Sequence, residues 1–238
     1  MFFAMKRLDE IYNQIPSGKG VADIGTDHGE IPIRLALSDY PGKIFASDIH
    51  TLPLEKARRR AAEAGVEHRI SFSCSDGLED CEADSVDTIV IAGMGGDTIC
   101  SILDRAEWTM SDKIALILQP MTKAEVLRYW LTCNGYSIER ELIVSENRSL
   151  FRILRVRFQN RNTFLTDAEL FVGQKKLADN ELAYMKYLEK EMSRLNKKIA
   201  GMEESAFNSS ETVFYRHIVE EMKSIYFVCS GKGFEFNG

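Results

Sequence analysis

The 238-residue chain is short of several things, and each shortage removes a class of protein. It has no run of about 18 apolar residues, so no helical membrane span is expected. The amino end, Met1-Phe-Phe-Ala-Met-Lys-Arg7, has no apolar core followed by small residues, so no secretory signal is expected either. The five cysteines, Cys74, Cys81, Cys100, Cys133 and Cys229, are odd in number and scattered. They read as reduced, mostly buried thiols of a cytoplasmic protein, with no metal centre. A basic excess is missing too. With 30 Lys and Arg against 36 Asp and Glu the net charge is −6, so any nucleic-acid contact must come from a local basic surface. What remains, 45% hydrophobic and 28% charged, suits a globular protein with one large domain and a small appendage.

Short apolar runs alternate with helical patterns from residue 21 to about residue 134. The runs are Val21–Ile24, Lys43–Asp48, Ile70–Cys74, Thr88–Ala92 and Ile114–Leu118. Between them Pro53–Ala64, Asp97–Arg105 and Lys123–Cys133 carry apolar residues at steps of three and four. Strand and helix in alternation predict a Rossmann-like α/β domain with a mostly parallel sheet. Tyr136–Val144 and Phe151–Phe158 follow with only Ser145–Ser149 between them, which predicts an antiparallel ending to the sheet.

The expected domain division is 1–160 and 161–238. Thr166-Asp-Ala-Glu169 has the form of a capping box opening a long helical pattern. Met185, Leu188, Met192, Leu195, Ile199 and Met202 form a coiled-coil-like seam. After a break over residues 201–210, Phe214, Ile218, Met222 and Ile225 mark a second stripe, so a small all-α hairpin is expected.

Ligands of such sheets bind at the carboxyl ends of the strands, and four signals converge there. They are Val21-Ala-Asp-Ile-Gly-Thr-Asp-His-Gly29, the acid of Ile44-Phe-Ala-Ser-Asp48, Cys74-Ser-Asp76-Gly77, and Ala92-Gly-Met-Gly-Gly96. Gly25 lets backbone turn and approach a ligand. Asp48 can accept hydrogen bonds from a ribose diol, and Asp76 one from an adenine amino group. Asp27 stands where a dinucleotide loop carries its second glycine, and its charge would repel a pyrophosphate. It could instead face an ammonium or a sulfonium. S-adenosylmethionine is therefore favoured over a nicotinamide dinucleotide. The fifth run ends in Ile117-Leu-Gln-Pro-Met121, where Gln119 could meet a planar base edge and Pro120 fixes the backbone.

Asp-Ile-Gly-Thr-Asp-His-Gly, Ala-Gly-Met-Gly-Gly and Ile-Leu-Gln-Pro together resemble the bacterial tRNA (adenine-N1)-methyltransferases acting on adenine 22. The resemblance implies a class I methyltransferase fold, a coiled-coil-like helical tail, S-adenosylmethionine as methyl donor, no metal, and tRNA as substrate. Carried over, the donor would be bound by Asp23, Gly25, Gly29, Asp48, Ile49, Asp76, Gly77, Ala92, Gly93 and Met94. Asp27, Gln119 and Pro120 would lie beside the target base.

An acidic protein must still hold a polyanion. Lys175, Lys186, Lys190, Arg194 and Lys197 fall on one face opposite the Met185–Met202 seam, which suits an arm on RNA phosphates. Arg58-Arg-Arg60 and Arg152, Arg155 and Arg157 are secondary candidates, and Asn147 and Arg148 could border the cleft. No membrane and no obligate protein partner are expected. Rival readings are a methyltransferase of a small molecule or protein, and a donor-binding module without catalysis, toward which the apolar Met121 points.

Overall fold

The computed structural model describes residues 6–147, 149–204, 210–231 and 234. It divides into two compact units, residues 1–163 and 164–238. In the first, α1 (Lys6–Asn13) precedes β1 (Gly20–Ile24), α2 (Glu30–Leu37), β2 (Lys43–Asp48), α3 (Thr51–Glu63) and β3 (Ile70–Cys74). There follow β4 (Thr88–Gly95), α4 (Gly96–Asp104), β5 (Ala115–Thr122), α5 (Ala124–Cys133), β6 (Tyr136–Glu146) and β7 (Ser149–Phe158).

The strands form a seven-stranded sheet in the order β3-β2-β1-β4-β5-β7-β6. Pairing is parallel from β3 through β5, while β7 runs antiparallel to both β5 and β6. The Rossmann-like class expected from the sequence is borne out. Val21 and Ala22 of β1, Ile89–Ile91 of β4 and Leu116–Leu118 of β5 are buried. Central parallel strands are covered on both faces, which is why they read as unbroken apolar runs rather than alternating ones.

The chain steps from β1 to β3 in one direction and from β4 to β5 in the other. Right-handed crossovers then send the helices of the two halves to opposite faces. Consistently, α2 packs with α1 and α3, and α4 packs with α5. The reversal lies between β1 and β4, where loops diverge and leave a crevice.

The second unit departs from the expected pattern at its start. Thr166 makes the capping box, accepting from the Glu169 amide while the Glu169 carboxylate accepts from the Thr166 amide. The helix it opens is short, however. Helix α6 covers only Asp167–Val172 and ends at Gly173, whose φ of 76° is a conformation that breaks the helix. The long helix α7 starts later, at Glu181, and runs to Glu204; α8 spans Ser210–Ser230 and packs against α7. Leu188, Met192, Leu195 and Ile199 are buried along α7 as the seam predicts, joined by Tyr184, Tyr187 and Glu191. On α8 the buried side is turned toward Thr212 and Val219 with Ile218 and Met222, which leaves Phe214 45% exposed. Residues 205–209, within the expected break, lie outside the described residues.

Candidate active site

The loop after β1 is tied to the neighbouring strand by its own backbone. The Gly25 and Thr26 amides both donate to the Ser47 carbonyl, at 2.8 and 2.9 Å. Asp48, at the tip of β2, accepts from the Asp27 amide (3.3 Å) and the His50 amide (2.9 Å). Gly25 has φ of 71°, and a Cβ there would stand 2.2 Å from Met94 Cε. The tip of Met94 could move aside, but the left-handed backbone at Gly25 favours glycine, so the β1 and β4 loops close on one another there.

At β4 the structure corrects the expectation of a strand that stops at Ala92. The strand continues to Gly95 through register shifts around Met94. A bulge lifts its extra residue out of the ladder. Gly93, at φ 82°, lies there with open space where its Cβ would be.

These loops surround a cavity of about 550 Å³ at the sheet reversal. Its lining includes Asp23, Gly25, Asp27, Asp48, Ile49, Asp76, Gly77, Ala92, Gly93 and Met94. Gly29 is not in it: it precedes α2, and a Cβ there would meet the Ala57 Cβ at 2.9 Å. Its place is in the packing of α2 against α3.

Glu30 also lines the cavity, and the four aspartates there differ in environment. Asp23 is only 5% exposed and its carboxyl is pushed up to about 6. Burial is the main cause; the hydrogen bond from Thr26 Oγ1 (2.7 Å) opposes it, and nearby Asp48 adds to the rise. Asp48 is also buried, Asp76 is paired with Arg105 Nη2 at 2.8 Å, and Asp27 is exposed with its carboxylate 3.6 Å from His28 Nε2. Asp27 also has a positive φ, 48°. Ser75 Oγ, on the same wall, is shielded from solvent and has no hydrogen-bond partner among the described residues.

The family model described as a methyltransferase domain matches residues 4–154. The tRNA (adenine(22)-N(1))-methyltransferase of Bacillus subtilis is 33% identical over 168 residues, 71% of this chain and 71% of that protein. The chain belongs to the tRNA (adenine(22)-N(1))-methyltransferase family. The resemblance read from the three motifs is borne out. Two solved structures of similar proteins extend it over the fold. M. capricolum TrmK, in complex with S-adenosyl-homocysteine, has a TM-score of 0.78 at 26% identity and covers 96% of this chain and 99% of that one. The Streptococcus pneumoniae protein in complex with S-adenosyl-L-methionine has a TM-score of 0.77 at 26% identity, covering 93% and 98%.

Gln119 and Pro120, expected beside the target base, are buried and do not line the cavity. Gln119 Oε1 accepts from Arg7 Nη1 at 2.5 Å, and its Nε2 donates to the Pro120 carbonyl at 3.0 Å. An amide so engaged has no free edge for a base. Motif reading also passed over cavity residues that lie outside the glycine loops, among them Arg7, Leu8, His50 and Thr98. Arg7 and Leu8 carry no motif; the available signal was the apolar spacing Leu8, Ile11, Tyr12 in a short helix just before β1.

Several basic candidates are already engaged. Lys175 is not on the long helix but in a preceding 3-10 turn, 2.6 Å from Glu181 Oε1. Lys186, Lys190, Arg194 and Lys197 share the exposed side of α7, with Arg194 paired to Glu191 at 2.8 Å. Arg152 is buried, Arg155 and Arg157 both meet Glu139, and Arg60 meets Glu30 at 2.7 Å. Arg58 donates to the Phe72 carbonyl and lies over its ring, and Arg59 lies 3.8 Å from Glu63. Asn147 forms the β6–β7 turn at φ 48°, while Arg148 lies outside the described residues.

Two of the cysteines are buried, and the expectation of mostly buried thiols is corrected by exposed Cys74 and Cys133. Burial pushes the Cys81 and Cys100 thiols up to about 11, which keeps them protonated and inert. Among the described residues no helix is long and apolar enough to cross a membrane, and no His, Cys, Asp and Glu cluster could hold a metal ion.

Proposed function

We propose that this protein transfers a methyl group from S-adenosylmethionine to N1 of an adenine in tRNA, at position 22 as in the name of the Bacillus subtilis relative. The observation that carries this reading is the acid-lined, glycine-walled cavity at the sheet reversal in a chain of that family. Its residues fit the donor. Gly93 leaves backbone open to a ligand, Ser75 Oγ offers an unused hydrogen bond, and five lining carboxylates, Glu30 among them, suit a cationic compound rather than a pyrophosphate.

In this reading Asp48 holds the ribose diol, Asp76 the adenine amino group, and buried Asp23 the ammonium end. Ile49, Gly77, Ala92 and Met94 complete the walls. When bound, the donor supplies a methyl group on a sulfonium centre, which the N1 lone pair of neutral adenine can attack. No strong base is needed for that attack. The methylated base is cationic, and in this reading the carboxylate of exposed Asp27 stabilises the developing charge. An adenine stacked in folded RNA must first be turned out, at a cost of a few kcal/mol. We further propose that residues 1–160 carry the chemistry and 161–238 touch the RNA through Lys186, Lys190, Arg194 and Lys197, in the cytoplasm where tRNA is modified.

Incubation with unmodified bulk tRNA and labelled donor, followed by nucleoside analysis, tests the reading. 1-Methyladenosine is the expected product. The absence of any RNA product across a full tRNA pool would defeat it, in favour of another acceptor or a donor-binding module.

A further inference from the structure

Arg7 stands in the first turn of α1 and is the only lysine or arginine among the described residues lining the cavity. Its helix is well fixed. Ile11 is fully buried, Leu8 and Tyr12 pack against the core, and Asp9 pairs with Arg34 of α2. The guanidinium is steered from three sides. Nη1 donates to Gln119 Oε1 at the end of β5, Nε lies 3.8 Å from Glu146 Oε2 at the end of β6, and the Phe151 ring centroid of β7 is 5.4 Å from its carbon.

These contacts leave most of the guanidinium donors open, while the Glu146 carboxylate forms an ion pair that offsets part of its charge. Gln119 offers a neutral oxygen, which sets the plane of the group without cancelling its charge. Glu146 is too distant for a hydrogen bond. The aromatic face attracts the cation without taking a donor. Among the described residues a single hydrogen bond therefore occupies one of five N–H donors. The side chain is 19% exposed and borders the cavity.

We propose that Arg7 anchors a backbone phosphate of the nucleotide turned toward the cavity, with Gln119, Glu146 and Phe151 as the supports that aim it. The inference rests on the reading of RNA as substrate. The same cavity is lined by Asp23, Asp27, Glu30, Asp48 and Asp76, which favour a cationic donor and repel a phosphodiester. A strand entering beside those acids needs a counter-charge at the mouth, and a guanidinium matches two phosphate oxygens in one plane. The role expected of Gln119 in meeting the acceptor directly is thereby transferred to Arg7, with Gln119 as its positioning residue.

The test uses the full chain with Arg7→Met, Arg7→Lys and Glu146→Gln. It follows tRNA binding by anisotropy over a range of salt, methyl transfer by label, and S-adenosyl-homocysteine binding by calorimetry. Arg7→Met is expected to weaken tRNA binding about tenfold and to lower the slope of log affinity against log salt by about one. S-adenosyl-homocysteine affinity should stay unchanged. Arg7→Lys should keep the slope but not the affinity, because an ammonium lacks the planar fork, and it carries the test should the Met variant fail to fold. Glu146→Gln should tighten tRNA binding by removing an opposing charge. Unchanged tRNA affinity in Arg7→Lys and Arg7→Met, or an equal loss of S-adenosyl-homocysteine affinity, overturns the assignment. A wild-type chain that binds tRNA but methylates nothing sinks the proposed reaction while anisotropy still reads the Arg7 effect.

Discussion

Asp23 shows what the binding chemistry costs the ligand-free protein. An aspartate normally titrates near 3.8; buried here, it does so at about 6. The native state thus holds a proton between those values that the unfolded chain has released. The stabilisation tied to that proton is full below about pH 4 and is lost as pH rises through 6. A shift of that size corresponds to on the order of 3 kcal/mol. Asp23→Asn is therefore expected to raise the thermal midpoint of the ligand-free protein at pH 7 and to weaken donor binding. A lower midpoint would show that the carboxylate is needed to hold the loop. Asp27 makes the contrasting case, because it is exposed and strained at φ 48°. Asp27→Asn should lower kcat by about tenfold or more while donor affinity stays within about twofold, by steady-state kinetics and calorimetry. Equal loss of both would assign Asp27 to donor binding alone.

Among elements, α5 and β6 are bridged by a buried ion pair. Arg128, fully buried, donates through Nε and Nη2 to the two oxygens of Glu141 at 3.0 and 2.6 Å. Removing Glu141 takes the paired carboxylate from a buried guanidinium, a loss of about 3–5 kcal/mol for a broken buried pair. Glu141→Leu alone should shift the urea midpoint far down, and the double change with Arg128→Met should recover part of the loss. Equal midpoints for the single and double variants would refute a coupled pair. The core strands were readable because burial on both faces leaves uninterrupted apolar runs, and β2 and β3 begin and end where the sequence predicts. The tail was harder. Its capping box was visible, yet Gly173 ends that helix after six residues, and only a left-handed turn at the glycine decides this. On α8 the stripe of Phe214 and Ile225 competes with that of Thr212 and Val219; packing against α7 selects the second.

At the scale of the whole molecule, a net charge of −6 must coexist with a polyanionic substrate. The proposed answer is local: Lys186, Lys190 and Lys197 share an exposed side of α7, while five of the acids line the cavity. Reversing the three lysines to glutamate should weaken tRNA binding by about tenfold or more at physiological salt and leave S-adenosyl-homocysteine binding intact. Unchanged tRNA affinity in a filter-binding titration would remove the arm from the scheme.

The sequence alone determined the sheet, the glycine and acid loops at its strand ends, and the kind of ligand those loops accept. Such features follow from short-range chemistry: apolar runs, turn residues and the sign of a side-chain charge. Tertiary structure alone decided which of them face the cavity. It put Gly29 behind α2, sealed Gln119 under Arg7, and carried Arg7 from the amino-terminal helix to the ends of β5, β6 and β7. That last meeting spans 112 positions between Arg7 and Gln119. Nothing local in either segment encodes it; the packing of α1 on the core does.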